Sequence, residues 1–394
     1  MPLFVILILC AATLAALGSF EKIRNRKYVD QLRIRVNVNG IRGKSTATRL
    51  ITSILHEAGI RTIGKTTGTA ARFIDPAAGT EEAIVRKPEG PNIKEQTAII
   101  RRAAKLKAQA LVCECMAIHP EYQDVYQNDM FMANITLIVN VREDHLDVMG
   151  PTLDEVAQAF SRSIPYNGHL ITTQGQYTEF FSQIARERNT QVLIADTDRV
   201  PEGYVDQFEY VVFPDNVALG LACADILGID SETALRGMLK AAPDPGALRI
   251  NYLNKKTWRN SVFVNGFAAN EPKSSLKIWN LIQERHELPL ANPIVLFNGR
   301  SDRVDRTDQF VKEFFPQLKD VVLIAMGQSV QHVQRAMNRG RFPGVKEYLH
   351  WEDMSPQSIV HSLKELMDNR LIFGVGNIHG DAELLVEYLM QERE

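Results

Sequence analysis

The chain has 394 residues, 45% hydrophobic and 23% charged, with 45 Lys and Arg against 47 Asp and Glu and a formal net charge of −2. That length exceeds what one core usually supports, so two domains are expected. The balanced charge leaves no broad basic field, which argues against nucleic acid as a partner. Its four cysteines (Cys10, Cys113, Cys115, Cys223) supply no disulfide framework and suit a reducing compartment.

From Pro2 to Phe20 there is no charged residue, and as a helix this run would cover roughly 28 Å, close to the thickness of a bilayer core. Lys22, Arg24, Arg26 and Lys27 follow at once. A cleaved signal carries its positive charge before the apolar run, whereas charge after it holds the following chain in the cytoplasm. A cleaved signal and a helix buried in a complex are the competing readings. The preferred one is a single-pass anchor in the cell membrane (1–21), a basic juxtamembrane linker (22–32) and a cytoplasmic body.

The body opens on an alternating run, Arg33-Ile34-Arg35-Val36-Asn37-Val38, then Asn39-Gly40-Ile41-Arg42-Gly43-Lys44-Ser45-Thr46, then Ala47 to Leu55 with apolar residues at helical spacing. Strand, glycine loop, Lys-Ser and helix is the layout of a phosphate cradle. Backbone N–H groups close on the phosphate oxygens, the helix N-terminus adds partial positive charge, and Lys44 reaches the terminal phosphates. Ser45 would hold Mg²⁺. Only Ile41 and Arg42 separate the glycines, so this is a shortened P-loop. ATP and Mg²⁺ are the expected cofactors.

Beyond the loop, β-rich runs at 110–115, 136–141, 191–195 and 210–213 alternate with helical stretches at 154–160 and 217–227, which predicts a largely parallel sheet wrapped by helices. Glu114 falls at the end of the first of these strands, where ligands gather in open α/β sheets. It reads either as a Mg²⁺ ligand or as an ion-paired glutamate. Cys113 and Cys115 flank it with no second cysteine pair, and read as small buried strand residues. His145, in Arg142-Glu143-Asp144-His145-Leu146-Asp147, reads either as a metal ligand or as a helix cap. The turn-rich Ala242-Pro243-Asp244-Pro245-Gly246 marks the expected boundary between domains at 33–246 and 247–394. Strands recur after it at 262–265, 294–297, 321–325 and 371–375, as in a second, smaller α/β domain.

Taken in order, the short loop, Glu114 and Asp144-His145-Leu146-Asp147 resemble the Mur ligase superfamily of ATP-dependent amide ligases, which includes folylpolyglutamate synthase. Asn216 before Ala218-Leu219 resembles its adenine-side helix start. Asp244-Pro245-Gly246-Ala247-Leu248-Arg249 resembles its interdomain segment. Asn265-Gly266-Phe267-Ala268-Ala269-Asn270, Asn298-Gly299-Arg300-Ser301-Asp302-Arg303 and Gly374-Val375-Gly376-Asn377-Ile378-His379-Gly380 resemble elements of its C-terminal domain. No room precedes Gly40 for a uridine-diphosphate-sugar domain. With Lys65-Thr66-Thr67-Gly68-Thr69 and Gly90-Pro91-Asn92-Ile93, the full chain resembles the PgsB/CapB subunit family of poly-γ-glutamate synthase.

The resemblance implies a Mur-ligase-like P-loop central domain with a mostly parallel sheet, and a smaller Rossmann-like α/β C-terminal domain. It implies that glutamate is polymerised through an acyl phosphate, with glutamate, the growing polyglutamate chain and other membrane subunits as partners; a homo-oligomer is compatible with it. Asn39, Gly40, Arg42, Gly43, Lys44, Ser45, Thr46, Asn216, Arg249 and Asp302 would bind nucleotide. Ser45, Glu114 and His145 would hold metal. Lys44, His145, Arg300 and Arg303 would serve catalysis, with Arg306 beside them; a solvated charged face is the other reading of those arginines. Another amino-acid or folyl ligase, and a membrane-associated ATPase or switch that forms no bond, are the competing functions. Two departures stand out. Many family members carbamylate a central lysine, but this chain has none between Lys107 and Lys240, so no carbamate is expected there. Asn265 and Ala269 replace the family's Asp and His.

Overall fold

With no helix-breaking residue between Leu3 and Ala16, the apolar run forms one helix that continues without interruption through the basic segment, Pro2–Val29. The computed structural model describes residues 2–67, 71–86, 92–244, 248–267, 269, 271–284, 288–378 and 380–391. Of the motif residues above, Gly68, Thr69, Gly90, Pro91, Pro245, Gly246, Ala247, Ala268, Asn270 and His379 lie outside the described residues. Within that helix, Phe4–Val29 is long and apolar enough to cross a membrane by length and composition.

The helix does not end as a loose linker. Val29 and Leu32 are buried with Ile99, Ala103 and Phe131, Asn25 Nδ2 donates to the Met130 carbonyl at 2.7 Å, and Lys22 Nζ lies 2.6 Å from Asp129 Oδ1. A chain starting at Glu21 should therefore be more stable than one starting at Lys27, by roughly 1 kcal/mol for the part-buried hydrogen bond of Asn25, or about 2–4 °C in Tm for a unit of this size. Thermal unfolding of the two truncations side by side checks this; equal midpoints would mean that the docked turn contributes nothing.

The first of two units comprises Met1–Phe208 and Val212–Gly246. Its strands are β1 (Ile34–Asn39), β2 (Thr62–Lys65), β3 (Arg72–Asp75), β4 (Thr80–Ala83), β5 (Ala110–Glu114), β6 (Ile135–Ile138), β7 (His169–Thr173) and β8 (Gln191–Ala195). They pair in the order β4-β3-β2-β5-β1-β6-β7-β8. The six strands from β2 to β8 are parallel, and β2-β3-β4 is an antiparallel margin. Val36 and Val38 turn one face of β1 onto the helix Lys44–Glu57, which answers with Ala47, Ile51 and Leu55 one helical turn apart, and onto Ala218, Leu219 and Ala222 of the helix Pro214–Ile226. Each fully buried Val, Ile or Leu contributes about 1.5–3 kcal/mol, so the helix carrying the glycine loop is fixed to the sheet by its apolar stripe.

Two expected strands differ. The run at 136–141 pairs only as far as Ile138, because the Asn140 side chain turns to the glycine loop. The run at 210–213 is no strand: Tyr210 makes one isolated bridge to Arg249, and Pro214 starts a helix immediately after Phe213.

Glu209–Val211 and Ala247–Glu394 form the second unit. Its strands are β9 (Ile250–Tyr252), β10 (Val262–Asn265), β11 (Ile294–Gly299), β12 (Val321–Gly327), β13 (Val345–Glu352) and β14 (Leu371–Gly376), ordered β13-β12-β11-β14-β10-β9. All pairs are parallel except β9 with β10. Both units are thus mostly parallel sheets with helical crossovers, as the alternation of elements predicts.

Candidate active site

The glycine loop begins where β1 ends. Gly40 (φ 124°) and Gly43 (φ 88°) occupy backbone conformations that side chains disfavour. Space is tight as well: a Cβ on Gly40 would lie 3.1 Å from the Asn140 backbone, and one on Gly43 would lie 3.0 Å from Asn216 Oδ1. The loop is therefore seated between residues 139–140 and Asn216. Asn39 Oδ1 accepts from the Gly40 N–H at 2.8 Å. Asn140 Oδ1 accepts from the N–H groups of Ile41 (3.3 Å) and Arg42 (3.1 Å), while its Nδ2 donates to the Arg42 carbonyl at 2.7 Å.

The helix Lys44–Glu57 starts directly after Gly43 with no side-chain cap, which leaves its first N–H groups facing the loop as an anion site. Lys44 Nζ donates back to the carbonyls of Gly40 (2.8 Å) and Ile41 (3.1 Å), so its charge lies over the loop. Thr46 is on the first turn of the same helix.

Glu114 ends β5 with its side chain buried. Its Oε2 accepts from Ser45 Oγ and from the Thr67 N–H, each at 2.8 Å, and among the described residues it forms no ion pair. A buried carboxylate held only by neutral donors is costly unless a cation joins it. Two hard oxygen donors beside a phosphate loop fit Mg²⁺. His145 occupies an exposed left-handed position (φ 50°) before the short helix Leu146–Met149. Its Nε2 is 3.8 Å from Asp144 Oδ1, and Asp144 lies 3.6 Å from the Arg42 guanidinium. The structure thus brings Ser45 to Glu114 and Arg42 to the Asp144 turn. No group of three or more His, Cys, Asp or Glu side chains is gathered for a metal among the described residues. Burial pushes the thiols of Cys113 in β5 and Cys115 just after it up to about 11 and about 12, respectively, which makes both inert.

Sequence reasoning gave no role to three residues around this site. Asn140 clamps the loop but reads as the interior of an alternating strand. Arg49, one turn beyond Ser45, is 3% exposed and held by Glu81 at 2.7 Å and Asp244 at 3.4 Å; a charged residue on an amphipathic helix gives no signal of such burial. Lys65 is wholly buried at the end of β2, 2.8 Å from Glu95 Oε1. It lies outside the lysine-free stretch, and its ion pair with Glu95 opposes conversion to an anionic carbamate.

The other candidates belong to the second unit. Arg300 follows β11 and pairs with Asp302 at 2.8 Å, and Arg303 is exposed beside them. Arg306 Nη1 donates to Asn377 Oδ1 at 3.0 Å, and Asn377 is tied to β11 through its N–H to the Asn298 carbonyl at 3.1 Å. This places Arg300, Asp302 and Arg306 over the carboxyl ends of β11 and β14, where the order of strands reverses and ligands collect in open sheets. Arg249 stands apart from them, bridging Tyr210 beside β9.

Comparison with known proteins adds a lineage to this geometry. Residues 250–392 match the family described as the poly-gamma-glutamate synthase CapB C-terminal domain, and residues 38–208 match the Mur ligase middle domain. The chain is 51% identical over 383 residues to PGA synthase CapB of Bacillus subtilis (strain 168), covering 97% of this chain and 96% of that protein. It is 49% identical over 385 residues to the capsule biosynthesis protein CapB of Bacillus anthracis, covering 98% of this chain and 82% of that one. A bifunctional folylpolyglutamate synthase/dihydrofolate synthase from Yersinia pestis, solved with AMPPNP and a Mn ion, shares the fold with a TM-score of 0.63 at 12% identity, over 93% of this chain and 92% of that one.

Proposed function

Because the chain belongs to the CapB family of poly-γ-glutamate synthases, ATP-dependent ligases of the Mur ligase type, we propose that it is a membrane-anchored enzyme joining glutamates through γ-amide bonds by way of an acyl phosphate. The observation that carries this reading is the buried Glu114 carboxylate, bonded at 2.8 Å to the half-buried Ser45 hydroxyl beside the Lys44 loop. It is an arrangement suited to a metal–triphosphate.

A free carboxylate is a poor acyl donor. The terminal carboxylate of the chain would attack the γ-phosphorus of ATP, forming a C–O–P bond and releasing ADP. The amine of the incoming glutamate would then attack that carbonyl carbon, lose a proton and expel phosphate. The protein's part in the first step is positioning and charge neutralisation. The loop N–H groups between Gly40 and Ser45 would hold the β- and γ-phosphates, with Lys44 neutralising the charge that develops on the transferred group. Ser45 and Glu114 would hold Mg²⁺, with His145 at a second metal position; bound there, the metal would act as a Lewis acid on the phosphoryl oxygens. Asn216, packed on Gly43, would border the nucleotide, with Arg249 and Asp302 as further contacts. Arg300 and Arg303 would grip an anionic substrate through their guanidinium forks. The helix Pro2–Val29 would anchor the enzyme with its body on the cytoplasmic side, beside other membrane subunits of the synthase.

Phosphate release from ATP by the full chain in membranes, with and without glutamate and a short γ-linked acceptor, tests the reading. Release should depend on both substrates and match amide formed one for one. Equal release without glutamate would indicate an ATPase that forms no bond.

A further inference from the structure

We infer that Arg86, Glu95 and Lys65 are positioning residues that aim the Glu114 carboxylate, acting through the backbone of Thr67. The inference rests on the reading of Ser45 and Glu114 as metal-holding groups.

Glu114 Oε2 has two donors, and one of them, the Thr67 N–H, belongs to the segment after β2 rather than to the sheet. Thr66 and Thr67 are held from both sides. Towards β3, the Thr66 N–H donates to the Arg72 carbonyl at 3.0 Å, and the Arg72 N–H donates to Thr66 Oγ1 at 3.1 Å. On the other side, Arg86 Nη2 donates to the Thr67 carbonyl at 3.0 Å. The same guanidinium uses Nε to bind Glu95 Oε2 at 3.0 Å, and the second oxygen of Glu95 lies 2.8 Å from Lys65 Nζ, itself wholly buried. Burial opposes ionisation of Glu95, yet Lys65 and Arg86 together hold its carboxyl below the usual carboxylate range, so Glu95 anchors both cations. The path from Lys65 through Glu95, Arg86 and Thr67 to Glu114 is continuous, and Lys65 closes it, because its backbone in β2 is paired beside Cys113 of β5.

A strap of this kind has a chemical use. A cation placed directly on Glu114 would compete with a metal for the carboxylate. Here Lys65 and Arg86 share the Glu95 carboxylate, and among the described residues their link to Glu114 runs through a neutral N–H. The carboxylate is oriented without being occupied, in the manner of an outer-shell partner that fixes a ligand's direction. Arginine is required at position 86 because one planar fork must serve the Thr67 carbonyl and Glu95 together; lysine offers a single point charge.

The test measures how much Mn²⁺ tightens binding of a non-hydrolysable ATP analogue, as the ratio of its Kd in EDTA to its Kd in saturating Mn²⁺, with the full-length protein in detergent. Arg86→Lys, which keeps the charge beside Glu95, should lower that ratio by about 10-fold or more, with the Kd in EDTA unchanged. Glu95→Gln, which leaves Arg86 without its anchor, should act in the same direction. A merely structural strap would move the EDTA value and leave the ratio alone. Unchanged ratios in both variants would overturn the inference. Glu114→Gln separates the two levels: if it leaves the ratio at the wild-type value, Glu114 holds no metal and the reading beneath the inference fails; if it removes the ratio while Arg86→Lys and Glu95→Gln do not, only the strap is refuted.

Discussion

Lys44→Ala should lower ATP turnover by about 10²–10³-fold in a protein that remains folded. Among the described residues the ammonium of Lys44 bonds only to the Gly40 and Ile41 carbonyls of its own loop, and the side chain lies outside the apolar stripe of Ala47, Leu50, Ile51, Ile54 and Leu55 that fixes its helix to the sheet. Its removal therefore leaves the loop seated by Asn140 and the helix N-terminus aimed as before. On the proposed mechanism, what is lost is a full positive charge where negative charge would develop on the transferred phosphoryl group, and losing one such preorganised contact lowers turnover by about 10²–10³-fold. Single-turnover phosphate release and thermal unfolding on the same preparation check both halves. Wild-type turnover in a folded Lys44→Ala protein would remove this loop from the nucleotide site.

Glu114→Gln should cost about as much activity and reveal itself by a different signature. The amide has the size of the carboxylate and its oxygen still accepts from Ser45 Oγ and the Thr67 N–H, so the hydrogen-bond frame survives. The negative charge does not, and a neutral amide oxygen is a far weaker partner for Mg²⁺. The Mg²⁺ concentration needed for half-maximal rate should rise by about 10-fold or more, with the rate at saturating ATP falling by about 10²-fold. Because Glu114 is buried and forms no ion pair among the described residues, removing its charge should leave Tm unchanged or raise it. A lower Tm with an unaltered Mg²⁺ requirement would make Glu114 a structural residue only.

What was legible in the sequence was local. The alternation ending at Val38, the glycines of the shortened loop and the Ala47–Leu55 periodicity are written within some twenty consecutive residues, and each element formed where the pattern placed it. The class of fold followed from strands and helices taking turns, and β8 and β10 have the expected bounds. What the sequence hid depends on partners far away in it. Asn140 meets the loop across 99 residues because β6 lies parallel beside β1. Arg49 is buried because Glu81, 32 residues on, and Asp244, 195 residues on, both reach it. Residues 210–213 carry strand-like composition, but Glu209–Val211 belongs with the second unit and Val212 returns to the first, so no neighbouring strand runs alongside. Periodicity reports which face a residue occupies, and never which distant chain will arrive at that face.

The most direct measurement of the central claim follows oxygen rather than rate. A γ-linked acceptor carrying ¹⁸O in both oxygens of its terminal carboxylate is incubated with ATP, Mg²⁺, glutamate and the full chain in membranes, and the released phosphate is analysed by mass. If the carboxylate is phosphorylated and the amine then expels phosphate, each phosphate released must carry one ¹⁸O from the acceptor, and the label must depend on glutamate. Phosphate that contains oxygen from water and none from the acceptor would contradict the ligase account and leave simple hydrolysis of ATP.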